Sequence, residues 1–321
     1  KFFLYTLAGS VFFLIAIIYM AYISNTTSIP QLDNYYFSTY IQKWLWVGMF
    51  LSFAIKVPMW PFHTWLPDAH VEAPTVGSMI LAGVLLKVGA FAFLRISLPV
   101  LPEASSFFSS YIIILSVIAV VYTSLVAFAQ TDIKKLIAYS SVAHMGYVTA
   151  GIFSITKTGI QGALFQMISH GIVSAGLFLS IGLLYERTKS RIILDYNLLI
   201  KAMPIFSVFF IILVLSSVGL PGTSGFIGEL LVVIGVFKNF LIYGFLLASG
   251  IILGAIYMMS LVRKIVFTTS LNNSETKISD LNYLEISIML LLSFITIILG
   301  LLPNIMLNVT ESSVTKLLIN F

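Results

Sequence analysis

The chain has 321 residues, of which 59% are hydrophobic and only 9% are charged, with a net charge of +5 and no cysteine. Soluble domains carry about 25% charged residues, so this composition excludes an ordinary soluble protein and indicates a polytopic membrane protein. The absence of cysteine excludes disulfides, thiolate-held iron–sulfur clusters and thiol nucleophiles within the chain. The small positive charge is typical of membrane loops rather than of a nucleic-acid surface.

Nine apolar segments are long enough to cross a bilayer as helices, which takes about 20 residues each. They are continuously apolar rather than alternating, so they predict an all-α helix bundle and not a β-barrel. The segments are 2–23, 39–57, 76–97, 110–129, 134–153, 158–185, 204–238, 241–264 and 283–303. The remaining tail, 304–321, is expected to lie on the membrane surface.

The charged loops predict how these segments are oriented. If they cross alternately, one side carries twice as many Lys and Arg residues as the other, and the positive-inside rule makes it the cytoplasm or the mitochondrial matrix. That side receives Lys1, Lys134, Lys135, Arg187, Lys189, Arg191, Lys201, Arg263, Lys264 and Lys277. The other side receives Lys43, Arg95, Lys157, Lys238 and Lys316.

Proline breaks the helical pattern at two places, just after the second segment and inside the seventh. Pro58 and Pro61 follow directly after Lys56, and Pro221 with Gly222 divides the long segment 204–238. Proline lacks a backbone donor and blocks a continuous helix. Irregular backbone at membrane depth survives only where protein or a wet cavity covers it, so two such breaks indicate an ion or substrate path.

Lys56 and Lys87 are the two lysines left inside spans once the loop charges are assigned to the two sides. A charge at the bilayer centre costs about 2.5–3.5 kcal/mol on insertion scales. Lys87 lies about ten residues from either end of 76–97, too deep to reach the interface easily, which favours a function over a structural bond to a helix-break carbonyl. Lys56 ends its segment, so snorkelling to the interface and a role at the break are equally open.

His144 lies in the middle of a predicted span beside a face of hydroxyl groups. Ser140, Ser141 and Tyr147 stand at i−4, i−3 and i+3 from it. Hydroxyl groups beside an imidazole hold water and favour proton transfer, whereas the alternative is a satisfied structural histidine.

Two further ionisable residues lie in predicted spans. His170 has Gln166 at i−4 and Ser174 at i+4, a polar stripe on an apolar helix. Glu229 follows the second break, where a proton-carrying role is favoured over an interaction with the positive end of the half-helix.

The segment 66–74 contains Asp68, His70 and Glu72, but no second ligand pair accompanies them. A helix cap or loop packing is therefore favoured over a metal site, and no metal site is predicted. Lys134 and Lys135 start a predicted helix on the positive side and are expected to act as anchors, with proton entry as the alternative.

Several motifs along the chain closely resemble the antiporter-like subunits of respiratory complex I, and a carboxylate at position 229 favours the subunit 4 branch. The motifs are FAIKVP (53–58), WLPDAH (65–70), EAP (72–74), LAGVLLK (81–87), QTDIKKLIAYSSVAHMG (130–146), SHG (169–171) and LPGTSGFIGE (220–229). They occur in family order through nearly the whole chain. The wider family includes multisubunit cation/proton antiporters.

The resemblance implies an inverted-repeat, antiporter-like fold with one broken helix in each repeat. It assigns 1–97 to the end of the first repeat, 98–264 to the second repeat, and 265–321 to a last helix and tail. It also implies a proton path through Lys56, Lys87, His144, His170 and Glu229. The implied location is the mitochondrial inner membrane or, alternatively, a bacterial plasma membrane.

The resemblance also implies partners. Other membrane-arm subunits and lipids would surround the chain, and NADH, FMN, iron–sulfur clusters and quinone would belong to other subunits. The family has about five more helices before the first one here, so a separate polypeptide is expected to supply them, including a glutamate that pairs with Lys56. Three alternatives stay open: a cation/proton antiporter subunit, a structural scaffold that does not pump, and an independent membrane enzyme, for which no catalytic constellation is found.

Overall fold

The computed structural model describes residues 2–196, 198–268, 279–319 and 321, and this part of the chain is built from helices. Leaving aside short turns, the first five helices are α1 (Phe2–Ser24), α2 (Thr39–Lys56), α3 (Trp65–Glu72), α4 (Thr75–Val100) and α5 (Pro102–Phe128). Two π-type turns, Leu81–Leu85 and Phe93–Ser97, lie within α4. Short helical turns occur at Ile29–Leu32, Ile193–Asp195 and Leu199–Ala202.

Seven more helices complete the bundle. They are α6 (Ile133–Phe153), α7 (Lys157–Thr188), α8 (Pro204–Val218), α9 (Ser224–Asn239), α10 (Leu241–Phe267), α11 (Tyr283–Leu301) and α12 (Asn304–Leu318). The only extended pairing in the described residues is an isolated bridge between Asp132 and Ile192, which joins the loop before α6 to the loop after α7.

The predicted all-α membrane fold is confirmed. Among the described residues, seven helices are long and apolar enough to cross a membrane: α1, α4, α5, α6, α7, α10 and α11. Of the other two predicted spans, 39–57 forms the continuous helix α2, which the break at residues 57–64 follows, whereas 204–238 is divided into α8 and α9 at residues 219–223. The count of nine crossings therefore stays a prediction. The division of the chain into a first repeat, a second repeat and a final part, at 97/98 and 264/265, also stays a prediction.

One predicted boundary was wrong. The segment predicted from residue 110 begins eight residues earlier, at Pro102. Proline suits the first helical position because its missing N–H needs no partner there, and Glu103 favours the positive end of the helix. Counting apolar residues missed this start because residues 103–106 include three polar side chains.

The centre of the bundle is formed by α6 and α7. In the most apolar stretch of α6, 94% of the residues are buried, and in α7 72%, against 11% in α1 and 22% in α11. A helix that is covered on all sides cannot be a lipid-facing anchor. Polar residues on α6 and α7 are therefore directed at other parts of the protein.

One end of the bundle, which we call the basic end, contains Lys134, Arg187 and Arg191. The Lys134 ammonium donates a 2.6 Å hydrogen bond to the Ala73 carbonyl after α3, and Arg187 forms a 2.6 Å ion pair with Glu285 at the start of α11. These contacts gather predicted positive-side residues at one end. Lys1 and Lys277, predicted for the same side, lie outside the described residues.

The opposite end joins the start of α7 to the last helix. Lys157 and Glu311 form a 2.6 Å ion pair, and the hydrogen bond from Lys157 lowers the pKa of the exposed Glu311 carboxyl. Lys238 reaches Thr158 at 2.9 Å at the same end. The tail that was expected on the membrane surface thus forms α12 and contacts the bundle.

The packing of α10 against α5 and α6 gives a testable contrast between two glycines one turn apart. A Cβ on Gly250 would lie 2.1 Å from Val120 Cγ1 and 2.6 Å from the Tyr147 hydroxyl. A Cβ on Gly254 would have its nearest neighbour at 3.9 Å. We expect Gly250→Ala to destabilise the protein by about 1–3 kcal/mol through overpacking. Thermal unfolding of the purified protein in detergent measures this effect.

The matched control for that experiment is Gly254→Ala on the same helix. It should leave the unfolding temperature unchanged or raise it slightly, because alanine in the middle of a helix is more stable than glycine by roughly 0.5–1 kcal/mol. Equal unfolding temperatures for the two variants would contradict the close approach of α10.

Candidate functional site

The second helix break brings a polar turn into the interior of the bundle. Between α8 and α9, Gly219 and Gly222 adopt left-handed φ values of +78° and +92°. A Cβ on Gly225 would lie 1.9 Å from the Ser216 carbonyl oxygen, so glycine is what lets the start of α9 approach the end of α8. This approach sets Glu229, in the second turn of α9, inside the protein.

Glu229 is almost fully buried, with 3% of its surface exposed. Its Oε1 atom lies 2.9 Å from His144 Nδ1 on α6 and accepts a 3.3 Å hydrogen bond from Gln166 Nε2 on α7. His144 Nε2 lies 3.1 Å from the Ser217 hydroxyl on α8. A carboxylate and an imidazole at hydrogen-bond distance share a proton, which either group can hold.

Lys87 forms the other end of the buried cluster. Its Nζ atom donates to the carbonyl oxygen of Ala82, in the π-type turn of α4, and lies 2.7 Å from His170 Nδ1 on α7. The ammonium can only donate, so Nδ1 accepts this hydrogen bond when Lys87 is charged. One hydrogen bond therefore connects a buried amine directly to a buried imidazole.

Between these two pairs, the rings of His144 and His170 have centroids 5.4 Å apart. A small cavity, with room for about one water molecule, adjoins both rings. Its polar lining consists of Ser140, Ser141, Gln166, Ser169, Ser174, Ser216 and Ser217. Three buried atoms around it have no hydrogen-bond partner among the residues that the structure describes: Gln166 Oε1, His170 Nε2 and Ser216 Oγ. Such groups are the usual partners of ordered water, which would connect the two imidazoles.

A second small cavity, also with room for about one water molecule, is lined by Glu229 and His144. Tyr147, Tyr257 and Ser124 supply hydroxyl groups to its lining. The Tyr147 hydroxyl donates a 2.8 Å hydrogen bond to the Leu247 carbonyl of α10. His144 therefore borders both cavities, and Glu229 borders the second.

The structure brings together most of the residues that the sequence singled out. Lys87, His170, His144 and Glu229 form the buried polar axis, and Gln166 joins its last two members. Ser140 and Ser141 line the first cavity and Tyr147 lines the second, so the hydroxyl face predicted beside His144 is present.

Three predicted residues lie apart from this axis. Lys56 is half-buried at the end of α2, where its Cβ packs near Gly89, and it forms no hydrogen bond or ion pair with any residue that the structure describes. Lys134 and Lys135 occupy the first turn of α6, where the Asp132 carboxylate caps their backbone N–H groups. Lys134 is ten residues from His144, about 15 Å along the helix.

Several serines around the axis were not predicted from the sequence. Ser217 contacts His144, and Ser169 donates a 2.8 Å hydrogen bond to Ser224 at the start of α9. The sequence feature that could have indicated Ser217 is the pair Ser216 and Ser217, which lies just before the second break. Among the described residues, no group of His, Asp and Glu is arranged to hold a metal ion.

Comparison with known proteins identifies the family of this chain. Residues 1–248 match the family described as NADH:quinone oxidoreductase/Mrp antiporter, transmembrane. The NADH-quinone oxidoreductase subunit M of Rickettsia bellii is 53% identical over 324 residues, which cover 100% of this chain and 65% of that protein. The NADH-ubiquinone oxidoreductase chain 4 of Marchantia polymorpha is 48% identical over 317 residues, 99% of this chain and 64% of that protein.

A solved structure agrees with these matches. A chain of respiratory complex I from Thermus thermophilus with bound NADH superposes with a TM-score of 0.91 and 34% identity, covering 99% of this chain and 68% of that chain. The chain spans just under two thirds of the length of the curated relatives. With its membrane-spanning helices and the predicted motifs, it belongs to the NADH:quinone oxidoreductase/Mrp antiporter family of multi-pass membrane proteins.

Proposed function

We propose that the protein is a proton-translocating membrane-arm subunit of a respiratory NADH:quinone oxidoreductase. The observation that carries this proposal is the buried polar axis, in which Lys87 contacts His170 at 2.7 Å and His144 contacts Glu229 at 2.9 Å. Burying four ionisable side chains in a membrane protein is costly, which is the reason that such residues indicate an ion path.

In this proposal a proton moves from Lys87 to His170 along their shared hydrogen bond. It crosses the polar cavity to His144 through water held by serine hydroxyls, and it reaches Glu229 through the second short contact. Like charges repel, so neighbouring groups on the axis cannot all be protonated and charged together, and this repulsion couples the successive transfers.

Energy for the movement is proposed to arrive through contact with neighbouring subunits, which would hold NADH, FMN, iron–sulfur clusters and quinone. The protein would lie beside other antiporter-like subunits in the mitochondrial inner membrane or a bacterial plasma membrane. We further propose that Lys56 pairs with a carboxylate that lies outside the described residues. The lack of any partner for Lys56 among the described residues supports this proposal.

Purification with native partners tests the proposed function. We expect the protein to be recovered in a complex that oxidises NADH, reduces quinone and acidifies or alkalinises sealed vesicles as it does so. The competing function, a cation/proton antiporter, would give a complex that exchanges Na⁺ or K⁺ for protons without any electron donor. Recovery of that activity alone would overturn the proposal.

A further inference from the structure

One buried histidine stands outside the axis and lacks any polar partner for its ring. His70, in the last turn of α3, is completely buried, and its ring stacks on Phe178 of α7 with centroids 4.3 Å apart and an interplanar angle of 13°. Neither Nδ1 nor Nε2 has a hydrogen-bond partner in the described part of the chain. Buried polar atoms of this kind are ordinarily satisfied by bound water.

The surroundings of His70 connect it to the basic end. The α3 helix ends there, where Lys134 Nζ donates a 2.6 Å hydrogen bond to the Ala73 carbonyl and Arg191 donates a 2.8 Å hydrogen bond to the Val71 carbonyl. His70 therefore belongs to the helix end that these two cations hold.

The surroundings also connect His70 to the axis. The helices that carry its neighbours Phe178 and Ser78 also carry His170 and Lys87. Phe178 is eight residues from His170 on α7, which is about 12 Å along the helix. Ser78, whose hydroxyl donates to the His70 carbonyl at 3.2 Å, is nine residues from Lys87 on α4, or about 13.5 Å. These separations exceed one hydrogen bond, so any connection requires water.

The first cavity borders residues that neighbour the contacts of His70. Its lining includes Leu177, the neighbour of Phe178, and Ile137, one turn after Lys134. Among the described residues, His170 Nε2, the ring nitrogen that does not contact Lys87, has no hydrogen-bond partner and lies beside the same cavity. His70 itself does not line this cavity, so further bound water must complete the connection to its unpartnered nitrogens.

We propose that His70 is a further proton-exchanging residue, which passes protons from the basic end to the Lys87–His170 pair through bound water. The neutral ring takes a proton on its free nitrogen and releases the proton of the other nitrogen, which leaves it neutral as the second tautomer. The basic end is the side that the loop charges assign to the cytoplasm or matrix, so the direction is uptake. This inference rests on the proposed function.

The test compares His70→Gln with His70→Glu in the assembled complex, reconstituted in sealed vesicles, as protons translocated per NADH oxidised. The two variants have nearly the same size, but only glutamate can carry a proton. We expect His70→Gln to lower translocation at least about tenfold, since removing a positioned proton carrier typically costs a factor of about 10²–10⁴, and His70→Glu to restore a substantial part of it. Wild-type translocation by His70→Gln would overturn the inference.

Two controls separate proton exchange from packing. His63→Gln alters another buried histidine of the same broken segment, whose ring lies against Tyr122 and Tyr139, and Phe178→Leu removes the stacking partner. Both should translocate protons nearly as the wild type does. Equal losses in His70→Gln, His70→Glu and either control would show a structural role and overturn the inference. Lys87→Met, assayed beside them, tests the proposed function itself: if it pumps normally, that function fails, whatever His70 does.

Discussion

Replacing Lys87 by methionine should abolish proton translocation while the protein still assembles with its partners. Methionine fills nearly the same volume but cannot hold a proton, so the hydrogen bond to His170 at 2.7 Å is lost. Removing a positioned proton-transfer group typically costs a factor of about 10²–10⁴ in rate, and we expect a loss of at least about tenfold. Proton movement into sealed vesicles, measured against NADH oxidation, gives the result.

Two further variants make that result specific. Lys87→Arg keeps the positive charge, but a guanidinium does not release its proton, so it should be as defective as Lys87→Met. Lys238→Met removes an exposed lysine at the opposite end of the bundle and should leave translocation unchanged. An assembled Lys87→Met complex that translocates protons at the wild-type rate would exclude Lys87 from the path.

The sequence predicted the fold and the participants of the axis because both depend on local signals. Pro221 and Gly222 interrupt a helix wherever it packs, and a lysine or glutamate within an apolar segment is conspicuous without knowledge of its neighbours. The bounds of α5 were less predictable, since its first turn is polar and so carries no apolar signal.

The pairing within the axis could not be predicted in the same way. Spacing along α6 shows that Ser140, Ser141 and Tyr147 share a face with His144, but it does not show which helix faces them. The contact of His144 with Glu229 and that of Lys87 with His170 depend on how α4, α6, α7 and α9 pack. Packing also determines that Lys134, expected as an interface anchor, is buried against α3.

His70 shows a second limit of sequence reasoning. Beside Asp68 and Glu72 it resembled part of a weak metal pattern or a loop-packing residue. In the fold the ring stacks on Phe178. No group of metal-binding side chains forms among the described residues. Its importance depends on two unpartnered nitrogens, and hydrogen-bond satisfaction is a property of the folded chain alone.

Replacing Glu229 by glutamine should also stop proton translocation, for a different reason. The amide has the shape of the carboxylate and can keep contacts with His144 and Gln166, which now lie at 2.9 Å and 3.3 Å from Oε1. It cannot accept the proton that His144 would deliver, so the axis loses its last acceptor before the second cavity. We expect translocation per NADH oxidised to fall at least about tenfold, with the complex intact.

The chemistry of position 229 can be separated from its geometry with a shorter acid. Glu229→Asp retains a carboxylate but withdraws it by one methylene, about 1.5 Å, which lengthens the 2.9 Å contact beyond hydrogen-bond range. It should translocate protons at a rate between those of the wild type and Glu229→Gln, because water in the second cavity can fill the gap. Glu186→Gln, at an exposed position on α7, is the matched control and should behave as the wild type. Full activity of Glu229→Gln would show that protons leave the axis before reaching α9.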